Sequence, residues 1–254
     1  VLLLLVAAFL LPLPYDPIEP DVGPIMGAPS VSHLFGTDQL GRDVFSRTIA
    51  AGRLDIVLVL ASVGLTVVVG VGLGLAVSSR TVFAERLMRV LDVFQALPLL
   101  VLAMALVSVS GNSLVLVAVS VAMIGFPTFV RLVRAESLAL RESRFIEAAV
   151  SIGADRRRIL VHHMLPNVGG IILVNAAVCA SRAILVIAGL SFLGIGVQPP
   201  TASWGQMIEQ GIEGITSGQW WVWAFPGLFV LILGACFNRV ADGLDTLQAG
   251  VGRG

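Results

Sequence analysis

The 254-residue sequence contains no lysine; its 16 basic residues are all arginine. A Walker A loop needs a lysine on the β- and γ-phosphates, so these residues cannot hydrolyse ATP by that mechanism. Schiff-base and lysine-base catalysis are excluded with it. Cysteine is nearly missing as well. Cys179 and Cys236 both fall in apolar segments, where a thiol behaves as a small buried hydrophobe, and with three scattered histidines they offer no metal site. No H-E-x-x-H and no G-x-S-x-G occurs, which leaves protease and esterase chemistry without an anchor. Charged residues are only 13 %, against 57 % apolar residues and a mean hydropathy of +0.95. The charges cluster and leave long stretches with none. That is the pattern of an all-α, polytopic membrane protein, and nothing in it points to nucleic acid.

Ile56–Val77 is charge-free and long enough to cross a bilayer. Val93–Val130 is also charge-free, broken by Gly111-Asn112-Ser113, and its length suits two spans joined by a tight turn. Asn167–Leu190 is interrupted only by Arg182, and Trp223–Asn238 follows Trp220 and Trp221, where an interfacial aromatic belt would sit. Val1–Leu11 reads as the remainder of a first span, giving six. A cleaved signal peptide is the alternative, which Leu11-Pro12-Leu13-Pro14 disfavours because it lacks a small-residue cleavage pattern.

Orientation follows from arginine. Ser78–Asp92, Arg131–Arg158 and the C-terminal residues Arg239 and Arg253 fall on one side of six alternating spans, the cytoplasmic side by the positive-inside rule. Both termini are then cytoplasmic, and Ser191–Gln219, with no Arg, lies outside. Tyr15–Asp55 must also be external although it carries Arg42, Arg47 and Arg53. Its six acids and its length weaken the rule there. Prolines make its first half extended, and from Thr37, or Asp38 as N-cap, it turns helix-compatible.

The segment from Arg141 to Pro166 is the most informative. Phe145, Ala148, Ala149 and Ile152 fall at helical spacing, giving a short amphipathic helix. Gly153 stands where a residue with φ > 0 would end it. Asp155 can cap a second helix containing Ile159, Leu160 and Met164, which Pro166 closes. A solvated interhelical loop would explain the arginines but not two apolar stripes. Glu147, two small alanines and a helix-ending glycine make a surface that another protein can approach closely.

This pattern, Glu147-Ala148-Ala149-x3-Gly153-x9-His163-x-Leu165-Pro166, resembles the EAA loop of ABC-importer permeases, with His163 where many families have an aliphatic residue. Leu34-Phe35-Gly36-Thr37-Asp38-Gln39-Leu40-Gly41-Arg42-Asp43 and Leu190-Ser191-Phe192-Leu193-Gly194-Ile195-Gly196-Val197-Gln198-Pro199-Pro200-Thr201 are similar to the dipeptide/oligopeptide/nickel importers, and more narrowly to the second permease of their pair. The resemblance runs from about Leu34 to Leu244. It implies the type I ABC-importer permease fold in the inner membrane of a prokaryote. Residues 1–55 would be a first-span remnant with an external loop, 56–246 the permease core and 247–254 a cytoplasmic tail. It implies a homologous second permease, two ABC ATPase subunits or domains and an extracytoplasmic binding protein as partners, besides membrane lipid. ATP and Mg would sit on the ATPases, with no cofactor or metal on this chain. Glu147, Ala148, Ala149, Gly153, Asp155, Leu165 and Pro166 would form the ATPase-docking surface. Cargo would be peptide, or nickel or glutathione through a similar permease. An ion-coupled secondary transporter is the rival from another class, but it wants titratable groups in mid-membrane, which the charge-free spans hardly offer.

Three further features have structural and functional readings. Asp38, Arg42 and Asp43 fit turn and cap chemistry, or a polar external rim near a docked binding protein. Gly70 and Gly74 form a small-x3-small pair that favours close helix packing. Arg182 lies inside an apolar span, at a cost of about 2.5–3.5 kcal/mol on insertion scales unless paired or wet. It either faces a translocation path or snorkels toward the external interface.

Overall fold

The computed structural model describes residues 9–79, 81–96, 98–109, 113–151, 153–155 and 158–251. Helices dominate: α1 (Val44–Ala76), α2 (Val82–Gln95), α3 (Leu99–Val109), α4 (Leu114–Arg141), α5 (Arg144–Ser151), α6 (Leu165–Phe192), α7 (Trp204–Gly211) and α8 (Trp221–Val251). A π-helical turn over Ile159–Met164 runs directly into α6. Among the described residues the only β-type pairing named is an isolated antiparallel bridge between Thr37 and Asp43.

Among the described residues, four helices are long and apolar enough to cross a membrane: Val44–Ala76, Leu114–Arg141, Ile159–Phe192 and Trp221–Gln248. A fifth candidate is the pair Val82–Gln95 and Leu100–Ser108, two helices separated by a short break. The expected six spans included Val1–Leu11, most of which lies outside the described residues, as does most of the turn expected at Gly111-Asn112-Ser113. The stretch expected to span from Val93 is divided between two helices, α2, which ends at Gln95, and α3, which starts at Leu99. Thr81 caps α2, its Oγ1 accepting from Ala84 N at 3.3 Å, and this amphipathic helix carries the chain past Val93 to Gln95. At the other end, α8 continues to Val251, through most of the stretch expected as a tail.

The chain divides into two compact units. One comprises Val1–Ser62, Leu100–Val121 and Ala180–Phe237. In it, α7 lies directly against α6: a Cβ at Gly205 would stand 2.0 Å from the Ala188 carbonyl oxygen. The Trp204 ring packs over Gly52 on α1, donating Nε1–H to the Thr48 carbonyl at 2.8 Å. Phe35 stacks on Phe225 with ring centroids 3.9 Å apart. Trp221, expected in an interfacial belt, is buried and donates its indole N–H to the Thr37 carbonyl at 3.2 Å.

The other unit comprises Val63–Leu99, Ala122–Cys179 and Asn238–Gly254. Its core joins Phe129, Val133, Val168 and Ile172, with Leu140 and Leu165 packed against them. Gly70 and Gly74 let α1 approach α4: a Cβ at Gly70 would lie 2.4 Å from Phe129 Cβ, and one at Gly74 would lie 2.7 Å from Val133 Cβ. Gly72, on another face, has open space. The packing reading of the pair therefore holds.

Candidate docking site and buried polar network

α5 starts after Ser143, whose carbonyl accepts from Ile146 N and Glu147 N. Ile146 and Ala149 are buried, whereas Glu147, Ala148 and Ser151 are exposed. The inward stripe therefore differs from the expected one. Ala148 faces outward beside Glu147, and Ile146 takes the buried place; the Phe145 side chain and Ile152 lie outside the described residues. The glycine reading holds locally. Gly153 adopts φ +83°, and Ala154 N reaches back to the Ala149 carbonyl at 3.1 Å, the wrap that closes a helix with a left-handed residue. A side chain at Gly153 would meet no neighbour, so backbone conformation, not space, selects glycine there.

Asp155 is exposed and caps the next segment, its Oδ1 accepting from Arg158 N at 2.9 Å. Pro166 does not close that segment, which corrects the expectation. A proline ring clashes with the carbonyl four residues back and supplies no N–H. Here the chain widens into a π-helical turn, with Leu165 N bonding Leu160 O, and continues. Asn167 Nδ2 donates to the His163 carbonyl at 2.6 Å, an acceptor this irregular turn offers to a side chain. The outcome is one uninterrupted helical run, Ile159–Phe192. Leu165 packs into the Phe129–Val133 core, while Pro166 is exposed. Nearby, α4 presents a row of arginines: Arg131 pairs with Asp92, Arg134 Nε donates to the Val77 carbonyl at 3.2 Å, and Arg141 donates to Ser78 Oγ at 3.3 Å.

Asp38, Arg42 and Asp43 are 2 %, 6 % and 1 % exposed, so among the described residues they form an interior network, not an open rim. Asp38 Oδ2 accepts from Arg42 Nε at 2.8 Å and lies 3.4 Å from Arg47 Nε; Oδ1 accepts from Leu40 N and Arg42 N. Asp38 is thus a loop clasp. The N-cap of α1 is Asp43, whose Oδ2 accepts from Ser46 N at 2.8 Å and whose Oδ1 meets His33 Nδ1 at 3.0 Å. Arg47, 1 % exposed, also donates to the Pro17 carbonyl. Sequence reasoning assigned no role to Arg47 or to Asp55. Asp55 sits fully buried inside α1, and its Oδ2 accepts from Trp204 N at 2.9 Å. The single signal was its charge at the edge of an apolar run. Arg182 is exposed on α6. Among the described residues, no cluster of His, Cys, Asp and Glu suited to a metal ion occurs.

The described residues form a helical chain with several apolar helices of membrane-crossing length, the build of a multi-span membrane subunit. A chain of the MetNI methionine ABC transporter, in an inward-facing crystal form, superposes with a TM-score of 0.60 at 16 % identity, over 78 % of this chain and 96 % of that one. A second crystal form gives 0.58 at 18 %, over 76 % and 94 %. Residues 66–248 match the binding-protein-dependent transport system inner membrane component family. A Brucella suis protein named as a peptide permease is 37 % identical over 96 % of this chain and 81 % of its own length. The dipeptide transport system permease protein DppC of Alkalihalophilus pseudofirmus is 38 % identical over 85 % of this chain and 71 % of its own length. The chain belongs to this family of inner membrane transport components.

Proposed function

We propose that this chain is the permease of an ATP-driven importer of di- or oligopeptides. It forms half of the pathway beside a homologous second permease, in the inner membrane, with both termini in the cytoplasm. The names of the relatives support the cargo class. Two ATPase subunits or domains, holding ATP and Mg, dock on Glu147, Ala148, Gly153, Asp155 and Pro166, with Ala149 and Leu165 shaping the surface from behind. A binding protein delivers cargo from outside. The observation that carries the coupling role is the uninterrupted helix from Ile159 to Phe192. A push on the α5–Asp155 elbow is transmitted as a rigid-body movement of a span, not absorbed in a hinge. The chain moves cargo by alternating access and makes or breaks no bond.

Glu147→Ala and Gly153→Val test this reading. Glu147 offers charge-assisted hydrogen bonds of about 1.5–3 kcal/mol each to a partner, and valine is strained at φ > 0. Both variants should insert normally, lose most peptide uptake and retain less ATPase on affinity purification at matched expression. Wild-type uptake and ATPase retention in both would refute the docking role.

A further inference from the structure

Arg182 is the one charge inside the α6 span, and α6 is the most enclosed of the four long helices, with half of its most apolar window buried. From Ala180 to Ser191 only Arg182 and Leu185 are exposed. The other faces of this stretch are covered. α8 meets it at Gly234, where a Cβ would stand 3.6 Å from Ser181 Oγ; α7 meets it at Ala188 through Gly205; α3 meets it at Gly189, where a Cβ would stand 3.5 Å from Leu100 Cδ2. Arg182 therefore occupies a narrow open stripe on an otherwise enclosed helix. It lies ten residues before Phe192, about 15 Å of helix, which is a long way for its head group to reach the end of the span. Among the described residues no carboxylate pairs with it. Asp38 and Asp43 are engaged by Arg42, Arg47 and His33, and Asp55 is held against Trp204. A guanidinium keeps its charge and offers a planar fork that matches a carboxylate, and intramembrane ionisable residues almost always face a bundle interior or a water-filled cavity.

We propose that Arg182 is an anion-binding group on the translocation path and takes a free carboxylate of the cargo during passage. This rests on the importer reading and deepens it, because it selects cargo with an unblocked carboxylate. The complex should be reconstituted in liposomes with its second permease, ATPases and binding protein. Uptake of a peptide and of its C-terminal amide is then compared between wild type and Arg182→Gln, so that any preference of the binding protein cancels in the ratio. The free-acid to amide uptake ratio should fall about ten-fold in the variant, the loss of a charge-assisted hydrogen bond, and Arg182→Lys should recover part of it. An equal loss for both cargoes that follows the anionic-lipid content of the liposomes would assign the guanidinium to a lipid phosphate and overturn the proposal. In a background free of Cys179 and Cys236, Arg182→Cys should react with a water-soluble anionic thiosulfonate, and peptide should slow the reaction. An unreactive thiol places the residue against lipid or protein and overturns it independently of cargo. If wild type imports neither peptide, the peptide reading fails, and the thiol reaction alone decides whether Arg182 lines a path.

Discussion

The Asp38 carboxylate holds two arginines and two backbone N–H groups in an almost dry interior. Removing one partner of such a pair leaves charge buried and uncompensated, at a cost of about 3–5 kcal/mol. Asp38→Asn should therefore lower the thermal midpoint of the purified protein in detergent by many degrees. An unchanged midpoint would show that the network contributes little. The sequence indicated turn and cap chemistry here but placed the N-cap on the wrong aspartate. Asp38 and Asp43 are equally good candidates by type; only the fold decides which one meets the first free N–H groups of α1. Asp55 escaped notice for a related reason. By sequence it groups with the loop acids, yet α1 starts eleven residues earlier and encloses it.

Among the elements, the small-x3-small spacing was the most legible signal, because close approach of two helices demands the missing Cβ itself. Gly70→Leu or Gly74→Val would force side-chain atoms into Phe129 or Val133, an overpacking cost of about 1–3 kcal/mol. Gly72→Val meets open space and should stay near neutral. Thermal unfolding of the three variants separates them, and equal destabilisation at Gly72 would contradict this packing. Pro166 was harder to read. Its missing N–H suggests a stop, but the chain widens into a π-helical turn just before it and the helix continues. Likewise the sequence marks α5 as amphipathic but cannot tell which of its two alanines faces inward, since Ala148 and Ala149 are indistinguishable by hydropathy; Ala149 is buried and Ala148 exposed. Gly153 and Asp155 were legible because a left-handed residue and an N-cap are demands of the local backbone.

For the whole molecule, composition alone indicated a helical membrane protein, and three motifs in order indicated its family. The number of spans was less legible, because the apolar stretch from Val93 is divided between the end of the amphipathic α2 and the separate helix α3, a division that hydropathy does not see. Orientation rests on arginine and is tested by single-cysteine labelling in a cysteine-free background. Ser217→Cys, on an exposed stretch, should react with an impermeant reagent from outside, and Glu142→Cys only after permeabilisation; the reverse pattern would invert the topology. The central claim is that ATP-driven motion enters through the exposed side of α5. A photo-crosslinking residue placed at Ala148 in the assembled transporter tests this most directly, with Ser217 as the control position. The account predicts an adduct with an ATPase subunit at Ala148 and none at Ser217. An assembled, transporting complex that yields no ATPase adduct at Ala148 would contradict it.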